Sequence, residues 1–161
     1  MSKRLRYFLD RLSANALRRM INLWPPFLGA GIKIKSASSD FRRFEIVASL
    51  RWYNKNYVGT HFGGTMLSMT DPFFMLILLK NLGKDYIVWD KASAINFKKV
   101  GRGTLRALFQ LTEAEIQEIR DKVEQQQKYI FDRQVDILDD TDEVVASVVK
   151  TLYVKKKSDA S

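Results

Sequence analysis

Cysteine is absent from this chain of 161 residues, and histidine occurs only once. Without thiolates, the chain cannot form a disulfide framework, hold an iron–sulfur cluster or bind zinc through cysteine. A single imidazole also excludes sites that combine several histidines. We therefore expect no metal site, and any catalysis must use carboxylates, hydroxyls, amides, basic groups or that one imidazole.

The length is typical of a single domain, so residues 1–161 are predicted to form one. Lysine and arginine total 27 against 18 acidic residues, which gives a net charge of +9. Such a charge favours binding to nucleic acid, to an acidic membrane surface or to a phosphorylated ligand. The excess lies in the first two thirds of the chain, because everything after residue 111 is net acidic.

Long hydrophobic runs are also lacking. Asp10 and Arg11 interrupt the only apolar stretch placed where a secretory signal would lie, so we expect a cytoplasmic protein. The most apolar segment, 66–82, is short for a membrane span and contains Asp71, Pro72 and Lys80. This segment is predicted to be a buried helix.

Apolar residues recur at steps of three and four from Leu5 to Trp24, with basic residues mostly between them. This spacing predicts an amphipathic helix over 1–24 that ends at Pro25 and Pro26. The favoured interpretation is that its apolar face packs on its own domain. The alternative is an anchor on a membrane surface, which a basic polar face would also suit.

About six strands are predicted from alternating or β-rich segments, and most of them form antiparallel hairpins. The predicted strands are 32–35, 43–52, 86–97, 104–111, 129–138 and 143–154. Thr112 and Glu115 form a capping-box pattern that opens a surface helix to about Gln127. The helix predicted over Thr65–Leu82 is apolar on all sides, so a curved antiparallel sheet must wrap around it.

A cluster of polar and small residues precedes and enters this helix. Gly63 and Gly64 allow close approach of a substrate to free backbone N–H groups, which suit an oxyanion. Asp71 follows Gly63 by eight residues, and a carboxylate is costly in an apolar helix unless it is paired or functional. The structural alternative is that Thr70, Asp71 and Pro72 begin a helix, with an N-cap followed by proline.

These residues resemble a known family, the hotdog-fold acyl-CoA thioesterases of the phenylacetyl-CoA thioesterase type. The matching positions are Asn56, Gly59-Thr60, Gly63-Gly64, Asp71, Ala94-Ile95-Asn96-Phe97 and Gly101. The segment 61–73 looks like a mostly bacterial branch of that superfamily known as a domain of unknown function. The resemblance implies an α+β hotdog fold over 28–155 that forms a homodimer, often paired again into a tetramer.

The resemblance also implies thioester hydrolysis without a cofactor, since coenzyme A is part of the substrate. The N–H of Gly64 or of its neighbour Gly63 would polarise the thioester carbonyl, and Asp71 would act as general base or nucleophile. Asn56 would hold the carbonyl or the water, and Ser68 could bind water. The family usually has His-Gly-Gly, whereas this chain has Phe62 at that place and His61 one residue earlier, and both residues are candidates for binding the substrate.

Three basic residues beside the turn 101–103 could contact the phosphates of coenzyme A. They are Lys98, Lys99 and Arg102. A solvated turn explains the same residues. The leading hypothesis is thus a thioesterase. A non-catalytic acyl-CoA or lipid-binding hotdog module is the alternative, and nucleic-acid or membrane binding through residues 1–24 is the least favoured.

Overall fold

A computed structural model of the chain describes residues 12–157. It contains five helices and six strands within that range. The helices are α1 (Ala14–Asn22), α2 (Pro25–Ala30), α3 (Gly63–Ser68), α4 (Phe73–Leu82) and α5 (Glu113–Gln126). The strands are β1 (Ile32–Ala37), β2 (Arg43–Ser49), β3 (Tyr86–Phe97), β4 (Thr104–Gln110), β5 (Lys128–Leu138) and β6 (Val144–Lys156).

The strands form one six-stranded antiparallel sheet in the order β1-β2-β4-β5-β6-β3. This confirms the predicted α+β class and the predicted hairpin of β5 and β6 around the acidic turn 139–142. A bulge interrupts the pairing of β3 with β6 between Asp90 and Ala92. The two outer strands of the sheet are β1 and β3.

The core lies between the sheet and α4, an apolar helix in which five of the ten residues are buried and none is exposed. Phe73 is fully buried and contacts three other phenyl rings, with centroids 5.1–6.1 Å away. These rings belong to Phe27, Phe44 and Phe109. One aromatic cluster therefore joins α2, β2 and β4 to the central helix, as the all-round apolar pattern of this segment predicts.

The prediction of a single helix over Thr65–Leu82 is wrong, because the chain forms two helices, α3 and α4, instead of one. A turn separates them, in which the N–H of Asp71 donates to the carbonyl of Ser68 at 3.1 Å. Pro72 has no N–H to continue the helical pattern, and proline disfavours a helical conformation of the residue before it. The Asp71–Pro72 peptide bond is cis. Asp71 consequently lies in the turn and not within a helix.

The N-terminal segment also differs from its prediction. Residues 1–11 of the predicted helix lie outside the described residues. Ser13 caps α1, which ends at Asn22, and Pro25 and Pro26 begin a second helix instead of only ending the first. Proline fits the first turn of a helix because the N–H groups there have no helical partner.

Helix α1 packs against the edge of β1, with Ala14 and Leu17 buried. The side-chain amide of Asn22 binds both backbone groups of Ile34 on this edge. Asn22 Nδ2 donates to the Ile34 carbonyl at 3.1 Å, and the Ile34 N–H donates to Asn22 Oδ1 at 2.7 Å. The free edge of β1 is therefore covered at its middle.

Two further predictions have different outcomes. Strand β2 ends at Ser49, so its predicted continuation to residue 52 is wrong, and Trp52 is 86% exposed. The N–H of Leu50 donates to the Gly103 carbonyl at 2.9 Å, and the chain then leaves the sheet. The capping box of Thr112 and Glu115 is confirmed at the start of α5.

Candidate active site

The loop between β2 and α3 is organised by the side-chain amide of Asn56. Its Nδ2 donates to Thr60 Oγ1 at 2.8 Å and to the His61 carbonyl at 3.2 Å. Its Oδ1 accepts from the N–H groups of Val58 and Thr60 at 3.1 and 2.9 Å. All four hydrogen-bonding positions of this amide are thus used within the loop, which fixes the path of the chain into α3.

His61 is 2% exposed, and its Nε2 lies 3.1 Å from the Gly103 carbonyl. Because a carbonyl can only accept, Nε2 is the protonated nitrogen. Burial lowers the pKa of His61, and the bond to Gly103 opposes that effect in part. The backbone N–H of His61 also donates to the Gly101 carbonyl at 3.1 Å. His61 therefore fastens the loop to the turn 101–103, and its Nδ1 has no hydrogen-bond partner among residues 12–157.

Gly63 and Gly64 begin α3 between two partly exposed phenyl rings. A Cβ on Gly63 would meet the ring of Phe97 at 3.0 Å, and a Cβ on Gly64 would overlap the ring of Phe62. The N–H groups of both glycines donate to no acceptor within the described part of the chain, because the first turn of a helix has no internal acceptors. Only glycine fits at these places without displacing an aromatic side chain.

A cavity of about 360 Å³ opens beside the start of α3. Three predicted site residues, Phe62, Gly64 and Ser68, line it together with Thr65. The other walls come from α2 and from the loop after β2. They are Gly29, Ala30, Tyr53, Asn54 and Lys55. Asp71 and Asn56 do not line this cavity, so the structure of one chain does not bring all the predicted site residues together.

Asp71 lies beyond the other end of α3, and its side chain is 55% exposed. Its Oδ1 accepts a hydrogen bond from Lys150 Nζ at 3.1 Å. The sequence pattern suggested apolar surroundings for Asp71. The structure differs, because a buried cation lies beside the carboxylate. No side chain caps α4, so the structure also does not show Asp71 as an N-cap.

Two charged residues near Asp71 were missed by the sequence analysis. Lys150 is 2% exposed on β6, and its Nζ lies 3.0 Å from Asp90 Oδ2 on β3. Burial raises the pKa of Asp90; the Lys150 charge lowers it, and Asp71 raises it further. The signal was present in the sequence, since both residues occupy inward positions of strands whose other inward residues, such as Val88 and Leu152, are apolar.

The three basic residues proposed to bind phosphate have different surroundings. Lys99 Nζ lies 2.7 Å from Asp139 Oδ2 and also pairs with Glu143. The neighbouring carboxylates raise the pKa of Lys99. Lys98 and Arg102 are exposed, and their side chains form no ion pair within residues 12–157. They are the two cations of this turn that could take an added phosphate.

Within the described residues, no group of three or more metal-ligating side chains is close enough to hold a metal ion. The residues there also include no helix that is both long and apolar enough to span a membrane.

Many solved structures resemble this chain in fold. A Pseudomonas aeruginosa protein of unknown function, PA5026, described as a probable thioesterase, has a TM-score of 0.79 at 15% identity, over 91% of this chain and 97% of its own. Thioesterase HI1161 of Haemophilus influenzae has a TM-score of 0.65 at 15% identity, over 90% and 92%. The E. coli PaaI protein of the phenylacetic acid degradation operon has a TM-score of 0.57 at 16% identity, over 87% and 89%. These likenesses establish the hotdog fold.

No curated protein matches the chain in sequence. Residues 13–154, which include nearly the whole sheet and every candidate site residue, match one protein family. The chain therefore belongs to the family described as Domain of unknown function (DUF4442).

Proposed function

We propose that this protein hydrolyses an acyl-CoA or a related thioester and that Asp71 is its general base or nucleophile. The observation that carries the proposal is the Asp71 carboxylate, which is more than half exposed and yet held at 3.1 Å by a buried lysine. A carboxylate that is both accessible to water and fixed in position can take a proton in a reaction. Hotdog proteins named as thioesterases share the fold, which supports the same reaction class.

In the general-base route, Asp71 takes a proton from water while the water oxygen bonds to the thioester carbon. The carbon–sulfur bond then breaks, and the thiolate receives a proton, which leaves a carboxylic acid and a free thiol. In the nucleophilic route, an Asp71 oxygen bonds to the carbon, the carbon–sulfur bond breaks and the thiolate leaves and is protonated; water then hydrolyses the resulting anhydride to the carboxylic acid and the Asp71 carboxylate. Label in Asp71 after a single turnover in ¹⁸O-labelled water would identify the nucleophilic route with attack of water on the Asp71 carbonyl, because the general-base route never labels Asp71.

The unpaired N–H groups of Gly63 and Gly64 would donate to the thioester oxygen as its charge develops. Helix α3 has six residues and is thus about 9 Å long. Because Asp71 follows the far end of this helix, we infer that the Gly64 N–H and the Asp71 carboxylate of one chain do not reach the same carbon atom. We propose that two chains form each site, with Gly64 from one and Asp71 from the other.

The edge strand β3 supports this homodimer. Its first half is buried on alternate residues, but from Lys91 to Phe97 it is largely exposed on both faces. Exposed strand edges pair readily with another strand. We therefore propose that β3 pairs with β3 of a second copy, and the further pairing into a tetramer stays a prediction.

The substrate would enter with its acyl group near the partly exposed rings of Phe62 and Phe97 and its phosphates near Lys98 and Arg102. Ser68, on the wall of the cavity, would bind water. His61 and Asn56 would act indirectly, because their side chains hold the loop that carries Gly63.

Release of free thiol from a panel of acyl-CoA thioesters tests the proposal. We expect turnover by the wild-type protein and a loss of kcat of about 10²-fold to 10⁴-fold in Asp71→Asn, the usual effect of removing a general base. Asp85→Asn is the matched control, because Asp85 is an exposed aspartate in the turn before β3. An inactive wild-type protein, or an Asp71→Asn variant as active as Asp85→Asn, would contradict the proposal.

A non-catalytic acyl-CoA or lipid-binding module is the alternative. The observation that favours it is His61, which binds the turn 101–103 and leaves Phe62 at the place where the thioesterases carry histidine. Calorimetry separates the two functions. Heat of acyl-CoA binding without any thiol release would select the binding module.

A further inference from the structure

Lys150 occupies an unusual place for a lysine. It lies on the inward face of β6 between Val148 and Leu152, both fully buried, and is itself 2% exposed. Burying an ammonium group is costly unless anions compensate its charge. Packing alone does not explain a lysine at this position, because apolar side chains fill the neighbouring inward positions.

Two carboxylates supply the compensation, and they differ from each other. Asp71 Oδ1 lies 3.1 Å from Lys150 Nζ, and more than half of the Asp71 side chain is exposed to solvent. Asp90 Oδ2 lies 3.0 Å from the same nitrogen, but only 14% of its side chain is exposed. Neither Asp90 oxygen has a hydrogen bond of good geometry within residues 12–157. One carboxylate thus faces water, and the other is enclosed.

The next charges belong to β5 and α5. Arg133 is the register partner of Lys150 on β5, so the two side chains are neighbours on the inward face. The guanidinium of Arg133 lies 3.2 Å from Glu115 on α5, which compensates its charge. Ser93 is the register partner on β3 and carries no charge. Lys150 is therefore the cation available to the two aspartates.

We propose that Lys150 is a positioning residue that acts through Asp71, an inference that rests on the proposed thioester hydrolysis. The buried ammonium of Lys150 binds one oxygen of Asp71, and Asp90 binds the same ammonium from the neighbouring strand β3. The carboxylate therefore keeps one orientation although its turn is at the surface. Misplacing a reacting group by about 1 Å can lower a rate by on the order of 10²-fold, so this restraint has a measurable consequence.

Kinetics of Lys150→Met, Asp71→Asn and the double variant test the proposal. We expect Lys150→Met to lower kcat by about 10-fold to 100-fold with little change in KM, since it alters orientation and not binding. In the Asp71→Asn background, the same substitution should cause no further loss. Lys150→Arg should restore part of kcat, because it keeps the charge. Lys155→Met, at an exposed site of the same strand, is the control.

Independent losses that multiply in the double variant would overturn the positioning role, as would a Lys150→Met enzyme with full kcat. If hydrolysis is measured and Lys150→Met is fully active, only this inference fails. If no thioester is hydrolysed at all, the proposed function fails, and the contacts are tested by a method that needs no activity.

That method is NMR titration of the Asp90 carboxyl carbon in wild type and Asp71→Asn. Asp71 is exposed and Lys150 still pairs with Asp90 in Asp71→Asn, so we expect this variant to fold. Since the Asp71 charge raises the pKa of Asp90, we expect the Asp90 midpoint to move to lower pH in Asp71→Asn. In Lys150→Met, if it folds, the midpoint should move to higher pH. If the titration midpoint of Asp90 is the same in the wild type and in Asp71→Asn, the three groups do not act together. That result would overturn the inference.

Discussion

His61 donates its Nε2 proton to the carbonyl of Gly103 at 3.1 Å, and this bond joins the loop before α3 to the turn after β3. Both segments belong to the proposed site, since one leads into Gly63 and the other carries Arg102. The imidazole therefore sets the position of Gly63 and Gly64, the proposed oxyanion groups, relative to the turn 101–103, which is proposed to bind phosphate.

The burial of His61 predicts a pH effect on stability. Burial lowers the pKa of His61, so near pH 6 the unfolded chain binds a proton that the folded chain does not. Stability is then full above the ordinary histidine pKa of about 6.5 and decreases as the pH falls below it. We expect thermal unfolding to show this decrease between pH 8 and 5 in the wild type, and a smaller one in His61→Gln, which keeps an N–H donor. The raised pKa of Asp90 increases stability as the pH falls, and this opposite effect is the same in the wild type and in His61→Gln. An equal decrease in the unfolding temperature with falling pH in the wild type and in His61→Gln would contradict the prediction.

The exposed cations Lys98 and Arg102 predict how the phosphates of coenzyme A are recognised. We expect Lys98→Ala and Arg102→Ala each to raise the KM for acyl-CoA by about 3-fold to 10-fold, the loss of one charge-assisted contact in solvent. The KM for acyl-pantetheine, which lacks the nucleotide, should not change. Lys33→Ala, at an exposed position of β1, is the control. Equal effects on both substrates would show that this turn does not bind the nucleotide.

The exposed edge of β3 predicts the route of dimerisation. Successive N–H groups of a strand point to opposite edges, so one of Ser93 and Ala94 has its N–H directed away from β6. We expect proline at that residue to give a folded monomer in sedimentation velocity. Proline at the other residue should destabilise the fold, because it removes a hydrogen bond to β6. A wild-type chain that sediments as a monomer would contradict the proposed dimer.

The aromatic cluster around Phe73 predicts the largest effect on stability. Because Phe73 is fully buried, Phe73→Ala should lower the free energy of unfolding by about 3–5 kcal/mol, measured in urea. Phe97→Ala is the matched control, since Phe97 is 51% exposed, and it should cost less than about 1 kcal/mol. Equal effects would show that the core does not centre on α4.

Much of the fold could be predicted from local patterns. Alternation in β2 placed Phe44 and Ile46 in the core, and the capping box placed the start of α5, because both patterns depend on near neighbours in the sequence. The break before Phe73 was harder to predict, since an apolar composition outweighed the information from Pro72. The end of β2 depends on a contact of Leu50 with Gly103, which no local pattern contains.

The candidate site was predicted in part. The resemblance selected Gly64 and Asp71, whose roles stay proposals, but it did not indicate Lys150, which is 79 residues from Asp71 in the chain. A lysine on an inward strand position is a visible signal, yet its partners follow only from the order of the strands. Strand order depends on long-range pairing, which one sequence does not reveal.

The contact of Asn22 with Ile34 has a consequence for assembly. Because the asparagine occupies both backbone groups of Ile34 and α1 packs against β1, the edge at β3 is the more open of the two edges in the sheet described by residues 12–157. In the proposed dimer, two copies that join through this edge by a two-fold axis each use it once, and no further strand is then added at β3. Growth by strand addition would end at a closed pair, and the helix that packs on the domain would hinder pairing at the opposite edge of the sheet.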